Sequence, residues 1–173
     1  MDTLLPTCTK GKWSVTSFRD SIMETLKAGD DDGLCIRMYF YAVTLPGWSQ
    51  LRRSIKSWSR GRNERTVIAY IGTDHAITDP LALERMRDDG VSVRLMEKYQ
   101  GVFHPKVIWL EGASRHSIWI GSNNLTRDGL LNNIEFASVI HAADVPEGLR
   151  RWAEVVDEGS AILTAESLSS YRR

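Results

Sequence analysis

The most informative part of the sequence is VFHPKVIWLEGASRHSIWIGSNN, which spans residues 102–124. It contains two apolar runs rich in β-branched and aromatic residues, and the short polar segment between them predicts a hairpin of two strands. On a strand, side chains two residues apart point to the same face. We therefore expect His104 and Lys106 to project together, and Ser122 and Asn124 to do the same after the second strand.

Strands and helices alternate along most of the remaining chain, and no repeat, low-complexity tract or linker interrupts them. This order, followed by a cluster of strands, is typical of a single layered α/β domain with a mixed sheet, here covering residues 1–173. The predicted strands span residues 34–43, 65–72, 91–96, 102–110, 117–121 and 134–141, and the predicted helices span 16–27, 48–59, 80–86 and 147–156, with a shorter C-terminal helix last.

Composition excludes several classes of protein. Lys and Arg total 22, as do Asp and Glu, so the net charge is zero, which argues against non-specific coating of nucleic acid. No apolar stretch is long enough for a transmembrane helix, and the first six residues lack the features of a signal peptide. Cys8 and Cys35 have no metal-type or disulfide-type spacing. These features predict a cytoplasmic protein without a membrane anchor, metal or cofactor.

The polar residues of the hairpin suit phosphate chemistry. The imidazole of His104 can attack phosphorus while the ammonium of Lys106 balances charge on the non-bridging oxygens. Ser122 and Asn124 offer hydrogen-bond donors to an anion, although both are also common turn residues. Glu135 falls inside a predicted strand between apolar neighbours, where a carboxylate needs a partner, and a histidine ring is a plausible one.

These residues resemble the signature of the phospholipase D superfamily, which is H-x-K, an acidic residue and, later, G-S-x-N. The acidic position is Glu111 here, where the family usually has Asp. The bacterial nuclease branch, including phospholipase D-like restriction endonucleases, extends the second part to G-S-x-N-x-T-x-x-G-L-x-x-N-x-E. Its fixed positions are matched by Gly121, Ser122, Asn124, Thr126, Gly129, Leu130, Asn133 and Glu135.

The resemblance implies a metal-independent phosphodiesterase with a phospholipase D-like α/β/α fold. Catalysis would pass through a covalent phosphohistidine on His104, with Lys106, Ser122 and Asn124 binding the phosphate and Glu135 orienting the ring. A second histidine would act as general acid. Since the chain has one HxK motif, the simplest active unit is a symmetric homodimer that shares the site.

The resemblance also implies the substrate and the setting. A DNA endonuclease is the leading hypothesis, in restriction or phage defence, with a helicase or specificity protein as a further partner. A phosphodiesterase acting on phospholipids or small diesters and a non-catalytic nucleic-acid-binding subunit are the alternatives.

A cluster of basic residues provides a candidate surface for a nucleic-acid backbone. It lies within residues 52–65, where only Glu64 opposes it. A solvated basic helix face is an equally good interpretation of this cluster. Arg127, beside the motif, is a further candidate for phosphate binding. The residues predicted to bind substrate in the basic cluster are Arg52, Arg53, Lys56 and Arg60.

Overall fold

The computed structural model describes residues 3–4, 17–28, 32–62, 64–97 and 99–171, and the strands of these ranges form one mixed sheet. The sheet order is β1-β7-β6-β5-β2-β3-β4-β8; β2, β3 and β4 are parallel, and the other neighbouring strands are antiparallel. The strands are β1 (Thr3–Leu4), β2 (Gly33–Phe40), β3 (Thr66–Ile71), β4 (Ser92–Met96), β5 (Lys106–Gly112), β6 (His116–Gly121), β7 (Ala137–Ala142) and β8 (Ser160–Ile162).

Helices cover both faces of the sheet. Helices α1, α2, α3, α4 and α6 contribute side chains to the larger core on one face, and α5 packs on the other. The longest helix, α2, buries Trp48, Leu51, Ile55 and Trp58 at a helical spacing, so one apolar stripe faces the sheet. The helices are α1 (Phe18–Ala28), α2 (Leu45–Arg60), α3 (Pro80–Asp88), α4 (Arg127–Leu131), α5 (Glu147–Glu158) and α6 (Ala165–Tyr171).

The topology brings distant segments to one edge of the sheet. The last residue of β2, Phe40, pairs with the first residue of β5, Lys106, because the two strands are antiparallel. In the same way the last residue of β6, Gly121, pairs with Ala137, the first residue of β7. The segments before β5 and β7 and after β6 therefore meet at this edge, which we call the catalytic edge.

The prediction of an α/β fold with a mixed sheet is confirmed, but two strand boundaries were wrong. The strand predicted from residue 102 begins at Lys106, because Pro105 has no N–H to donate to a ladder. The strand predicted from residue 134 begins at Ala137. His104 and Glu135 consequently lie in the loops that lead into β5 and β7, not on the strands.

Local signals explain where the main helices begin. Thr44 is the N-cap of α2 and its hydroxyl accepts a hydrogen bond from the Gly47 amide, so this helix starts three residues before the predicted position. Asp79 caps α3 in the same manner, with Pro80 as its first residue. Within the described ranges no helix has the length and apolar character needed to cross a bilayer.

Candidate active site

His104 and Lys106 form the centre of the site. Lys106 opens β5 and its side chain is buried, whereas His104 is exposed. The Lys106 Nζ lies 2.7 Å from Nδ1 and 3.0 Å from Nε2 of His104, and it also donates to the His104 carbonyl oxygen at 3.0 Å. The predicted pairing is therefore present, although it is made by a loop residue and a strand residue.

Burial and charge hold this pair in a state that suits nucleophilic attack. Desolvation and, to a smaller extent, the charge of Lys106 lower the pKa of His104 below its ordinary value. Burial also lowers the pKa of Lys106, and the nearby Glu135 carboxylate opposes this effect. A lowered imidazole pKa keeps the ring neutral at neutral pH, and only the neutral ring has a lone pair for attack on phosphorus.

Tyr41 is a component of the site that the sequence analysis missed. Its buried ring lies 4.7 Å from the His104 ring, centroid to centroid, with 46° between the planes. The Lys106 Nζ is 5.7 Å from the centre of the same ring, within cation–π range. The Tyr41 amide donates to the Pro105 carbonyl at 3.3 Å, which fixes Tyr41 beside the HxK segment. The available signal was its position at the carboxyl end of an apolar strand.

Within its own chain, Glu135 contacts Ser122 and Asn133 and not a histidine ring. Its carboxylate accepts a short hydrogen bond from the Ser122 hydroxyl and another from Asn133 Nδ2 at 3.1 Å. The Phe136 amide donates to the Ser122 oxygen at 3.1 Å, and this contact holds the two loops together. The structure thus joins Ser122, Asn133 and Glu135 in one network beside Lys106 rather than placing the carboxylate on the His104 ring.

Asn124 lies in the loop after β6, which the backbone anchors to the segment following β2. The Leu125 amide donates to the Ala42 carbonyl at 3.1 Å, and the Thr44 amide donates to the Leu125 carbonyl at 3.0 Å. The Asn124 Oδ1 is buried and has no hydrogen-bond partner in the described part of the chain. A buried polar atom in this state costs free energy, and a ligand that hydrogen-bonds there would remove the cost.

Other motif residues shape the loop instead of binding substrate. A Cβ on Gly121 would lie 2.6 Å from both the Ala137 Cβ and the Phe136 carbonyl oxygen, so only glycine fits. A Cβ on Gly129 would lie 2.6 Å from the Asn124 carbonyl oxygen, so this position has the same constraint. Thr126 caps the short helix α4 by accepting from the Gly129 amide, so that amide already has a partner and is not free to bind an anion.

The basic cluster is only partly available to a substrate. Asp89 accepts hydrogen bonds from Arg52 Nε (2.5 Å) and Nη2 (2.8 Å) and from Lys56 Nζ (2.6 Å), and its side chain is only 2% exposed. Arg52 and Lys56 therefore have a structural role that the sequence analysis did not foresee. Arg53 and Arg60 are exposed, but the helical rise places Arg60 about 22 Å along the axis of α2 from Leu45 at the catalytic edge.

Arg127 and Glu111 lie at opposite ends of the domain. Arg127 is exposed as the first residue of α4, close to the Ser122 and Asn124 loop. Glu111 is near the far end of β5 and accepts a hydrogen bond from Arg37 Nε at 2.8 Å. The acidic position of the motif is thus part of an ion pair with Arg37, at the other end of β5 from Lys106.

The remaining histidines lie outside the HxK pair. His116 and His141 are at the ends of β6 and β7 away from the catalytic edge; His116 accepts from Trp109 Nε1 and His141 contacts the Ser117 hydroxyl. His75 is exposed in the turn after β3, with a left-handed backbone (φ 56°). Its neighbour Asp74 accepts from the Phe103 amide, so this turn does reach the catalytic edge.

The described residues contain no cluster of three or more His, Cys, Asp or Glu side chains able to bind a metal ion together. The groups that meet at the catalytic edge are an imidazole, an ammonium, a hydroxyl, a carboxamide and a carboxylate. This set, at the edge of a mixed sheet between helical layers, is suited to an α/β enzyme that attacks phosphate esters through a histidine–lysine pair.

The comparison with protein families agrees with this class. The model described as "Cardiolipin synthase, PLD-like domain" matches residues 21–156, which is well over half of the chain. The protein therefore belongs to this phospholipase D-like family. No curated protein matches the sequence.

Solved structures share the fold at low sequence identity. The phospholipase D family member Nuc from Salmonella typhimurium is 18% identical with a TM-score of 0.63, covering 95% of this chain and 100% of its own. NucT from Helicobacter pylori is 16% identical with a TM-score of 0.66, over 94% and 99% of the two chains. Yeast tyrosyl-DNA phosphodiesterase is 11% identical with a TM-score of 0.56, over 88% of this chain and 36% of its own.

Proposed function

We propose that this protein is a metal-independent DNA endonuclease that works through a covalent phosphohistidine on His104, in a site completed by a second copy of the chain. The observation that carries the proposal is the exposed His104 imidazole held against the buried Lys106 ammonium, with nitrogen–nitrogen distances of 2.7 and 3.0 Å. This pair supplies a nucleophile and a fixed positive charge at one point.

The reaction would proceed in two displacements. A lone pair of the neutral His104 imidazole forms a bond to phosphorus, the bond to the leaving oxygen breaks, and a protonated histidine donates its proton to that oxygen. Water then attacks the phosphohistidine, the same second histidine removes a proton from the water, and His104 is released. Lys106 and the Asn124 amide group would stabilise charge on the non-bridging oxygens. The Ser122 hydroxyl, which has one proton and donates it to Glu135, would join them by turning that proton from the carboxylate to the phosphate.

The second histidine is best supplied by another chain. His104 cannot be nucleophile and leaving-group acid in the same step, and His116 and His141 lie at the far ends of their strands. His75, in the turn that reaches the catalytic edge, is the competing candidate within one chain. The symmetric solution uses His104 twice, once from each subunit.

We propose DNA as the substrate, over a phospholipid or small diester, because DNA is a polyanion. The exposed side chains of Arg53, Arg60 and Arg127 suit a polyanion, and a DNA phosphodiesterase is among the structural neighbours. A phospholipid or small diester is the second candidate, since the family description names cardiolipin synthase. The reactive set at the catalytic edge argues against a purely binding role. The restriction or phage-defence setting, the helicase or specificity partner and the cytoplasmic location remain predictions from the sequence.

The test is cleavage of linear single- and double-stranded DNA in excess chelator between about pH 5 and 7, which spans the histidine titration. The wild-type chain should cut, and the His104→Ala variant should not. Phosphatidylglycerol vesicles in the same buffer test the lipid alternative. Cleavage that requires added magnesium would contradict the proposed mechanism, and turnover of lipid without DNA cleavage would contradict the proposed substrate.

Subunit mixing tests the shared site. If each site needs His104 from both chains, a threefold excess of the His104→Ala chain should reduce the activity of a fixed amount of wild type to about one quarter after random exchange. Unchanged activity would show that one chain is sufficient. The His75→Ala variant is the matched control: it should remain active, and its inactivity would assign the acid to His75.

A further inference from the structure

The turn that follows β3 contacts the loop that carries His104. Asp74, a half-buried residue of this turn, accepts two hydrogen bonds on the same carboxylate oxygen, Oδ2. One comes from the Tyr99 hydroxyl at 2.5 Å and the other from the Phe103 amide at 3.3 Å. Because Phe103 directly precedes His104, a single carboxylate oxygen fixes the backbone one residue away from the proposed nucleophile.

The two hydrogen bonds close a loop of five residues. Tyr99 and Phe103 are four positions apart, and their rings meet edge to face with centroids 6.2 Å apart. Gly101, midway between them, has a left-handed backbone with φ 91°, which glycine adopts readily. Gly101 and Val102 are exposed, whereas Phe103 is buried. The base of the loop, and not its tip, is therefore packed against the domain.

The backbone on both sides of His104 is anchored. A Cβ on Gly72, the residue after β3, would lie 2.9 Å from the Phe103 carbonyl oxygen, so the turn and the loop approach closely before His104. After His104, the Tyr41 amide donates to the Pro105 carbonyl at 3.3 Å. The carboxylate on the turn adds a charged hydrogen-bond acceptor to this anchorage, and such hydrogen bonds are among the strong ones.

The turn that carries Asp74 has an unfavourable backbone conformation. His75 and Ala76 both lie in the left-handed region, with φ of 56° and 52°, where residues with a Cβ are uncommon. Strain of this kind persists where surrounding contacts over-determine the backbone, and it clusters at functional sites. The contacts on its two sides are those of Asp74 to the loop and of Thr78, whose hydroxyl lies 3.0 Å from the Tyr41 carbonyl oxygen.

We propose that Asp74 is a positioning residue for His104: its carboxylate ties the loop that carries the nucleophile to the turn after β3. The inference rests on the proposed function, in which the His104 imidazole attacks phosphorus. The reacting atoms must come within about 3–3.5 Å in a defined direction, and a displacement of about 1 Å can reduce the rate about 100-fold. Lys106 and the Tyr41 ring restrain the imidazole, whereas Asp74 restrains the backbone that precedes it.

The donor to Asp74 is present throughout the titration of the site. Burial and the hydrogen bond to Asp74 raise the pKa of Tyr99 to about 12. The Tyr99 hydroxyl therefore keeps its proton at every pH at which a histidine titrates, and it can donate to the carboxylate over that whole range.

The test compares Asp74→Ala and Tyr99→Phe with wild type and with Asp79→Ala. We expect kcat for DNA cleavage to fall about 30-fold in Asp74→Ala and about fivefold in Tyr99→Phe, with KM nearly unchanged because substrate contacts are retained. Asp74→Asn keeps an acceptor oxygen and should recover most of the lost kcat. The double variant should lose no more than Asp74→Ala alone, since both changes remove the same interaction.

Asp79→Ala is the matched control for a purely structural loss. Asp79 is a carboxylate of the same segment, but it caps α3 by accepting from the Leu81 amide at 2.9 Å. Its removal should lower Tm and leave kcat unchanged at temperatures where the protein is folded.

A second measurement follows the His104 ring without any substrate. The Tyr41 ring, 4.7 Å from the imidazole by centroid, should shift the NMR signals of the His104 ring protons away from their random-coil positions. We expect these signals to move toward the random-coil positions in Asp74→Ala and in Tyr99→Phe, and to stay unchanged in Asp79→Ala.

The outcomes separate this inference from the proposed function. A folded Asp74→Ala protein with wild-type kcat and wild-type His104 signals overturns the inference. A loss of kcat with unchanged His104 signals also overturns it, because the turn would then act through another group such as His75. If the wild type does not cleave DNA in chelator, the proposed function fails, while displaced His104 signals in Asp74→Ala still support positioning. If Asp74→Ala does not fold, Tyr99→Phe, which removes one oxygen atom, decides by the same two measurements.

Discussion

The Lys106 ammonium approaches both ring nitrogens of His104, at 2.7 and 3.0 Å, and so contacts the two nitrogens together instead of one alone. One cation thus affects the imidazole whichever nitrogen carries the proton. After burial, its charge is the second cause that lowers the pKa of His104. The direction of this shift has consequences for the pH dependence of the reaction.

We expect the cleavage rate to be highest below pH 6.5. In a shared site one His104 must be neutral and its symmetry mate protonated, and the fraction of such pairs is largest where pH equals the imidazole pKa. Since that pKa lies below its ordinary value of 6.5, the optimum lies below 6.5 as well. A rate profile of kcat between about pH 4.5 and 8 measures it, and an optimum above pH 7 would contradict the symmetric assignment.

Replacement of Lys106 by Gln should raise the pH optimum of cleavage and reduce the cleavage rate. Removal of the cation leaves burial as the cause of the lowered His104 pKa, so this pKa rises toward 6.5. Loss of one fixed charge at the phosphate should reduce kcat by roughly 100-fold. NMR titration of the His104 ring in both proteins checks the shift independently of activity; an unchanged pKa would mean that the short Lys106 contact is not maintained in solution.

Asp89→Asn should destabilise the fold without a specific effect on the reaction. The nearly buried Asp89 carboxylate accepts from Arg52, Lys56 and Trp48, which lowers its pKa far below the usual range. Hydrogen bonds to charged groups contribute about 1.5–3 kcal/mol, so we expect a loss of about 2 kcal/mol in the free energy of unfolding at pH 7.

The pH dependence of this loss has a definite sign. The folded state lowers the pKa of Asp89 below its unfolded value of 3.8, so the ionised carboxylate stabilises the fold fully at pH values above 3.8. This stabilisation disappears as the pH falls from 3.8 through the lower pKa of the folded state. The difference between wild type and Asp89→Asn should therefore be constant above about pH 5 and shrink below 3.8. Asp88→Asn, whose carboxylate is exposed, is the control and should change stability little in urea unfolding.

The chemistry of the site was more predictable than its contacts. The spacing of His104 and Lys106 and the resemblance of the later motif predicted which side chains meet at the catalytic edge, because that prediction depends on residue type and short-range order. Six of the eight strands in the described residues were predicted, while β1 and β8 were not. The predicted starts at residues 102 and 134 missed the loops that present His104 and Glu135. Strand periodicity does not reveal where a backbone leaves the sheet.

Long-range partners could not be predicted. Asp89 binds Arg52 from 37 residues away, and the basic run gave no indication that a carboxylate on the loop after α3 would neutralise part of it. The contact between Glu135 and Ser122 was not foreseen for a similar reason, since the Ser122 hydroxyl reaches the carboxylate only after β6 and β7 have paired. Such pairings depend on tertiary topology, which a single sequence does not specify.

Gly121→Ala should reduce the cleavage activity more than it reduces the stability of the fold. The added methyl group would lie 2.6 Å from the Ala137 Cβ and the Phe136 carbonyl oxygen, so β6 and the start of β7 must separate. Overpacking of this kind costs about 1–3 kcal/mol, and the shift also displaces Ser122 from Glu135.

Activity and stability should therefore respond differently. We expect kcat to fall at least tenfold at temperatures where Gly121→Ala remains folded by circular dichroism. Gly148→Ala, in α5 with no atom within 4 Å of the new methyl group, should be neutral or stabilise by up to about 1 kcal/mol. Full activity in a folded Gly121→Ala protein would show that the Ser122–Glu135 contact tolerates movement.

Tyr41 should act through its ring as a positioning residue for His104. The buried ring, 4.7 Å from the imidazole by centroid, limits the rotation of an otherwise exposed side chain, and its face also lies toward the Lys106 ammonium. Tyr41→Leu removes both contacts at similar hydrophobicity, and we expect kcat to fall about tenfold with KM nearly unchanged because substrate contacts are retained.

The conservative variant separates positioning from the chemistry of the hydroxyl. Tyr41→Phe keeps the ring and should retain most of the wild-type kcat. An equal loss in Tyr41→Phe and Tyr41→Leu would assign the effect to the phenolic hydroxyl and contradict a role through stacking. A Tm measurement on both variants accompanies the kinetics, since a general packing defect would lower Tm and raise KM together, whereas lost positioning lowers kcat in a protein that remains stable.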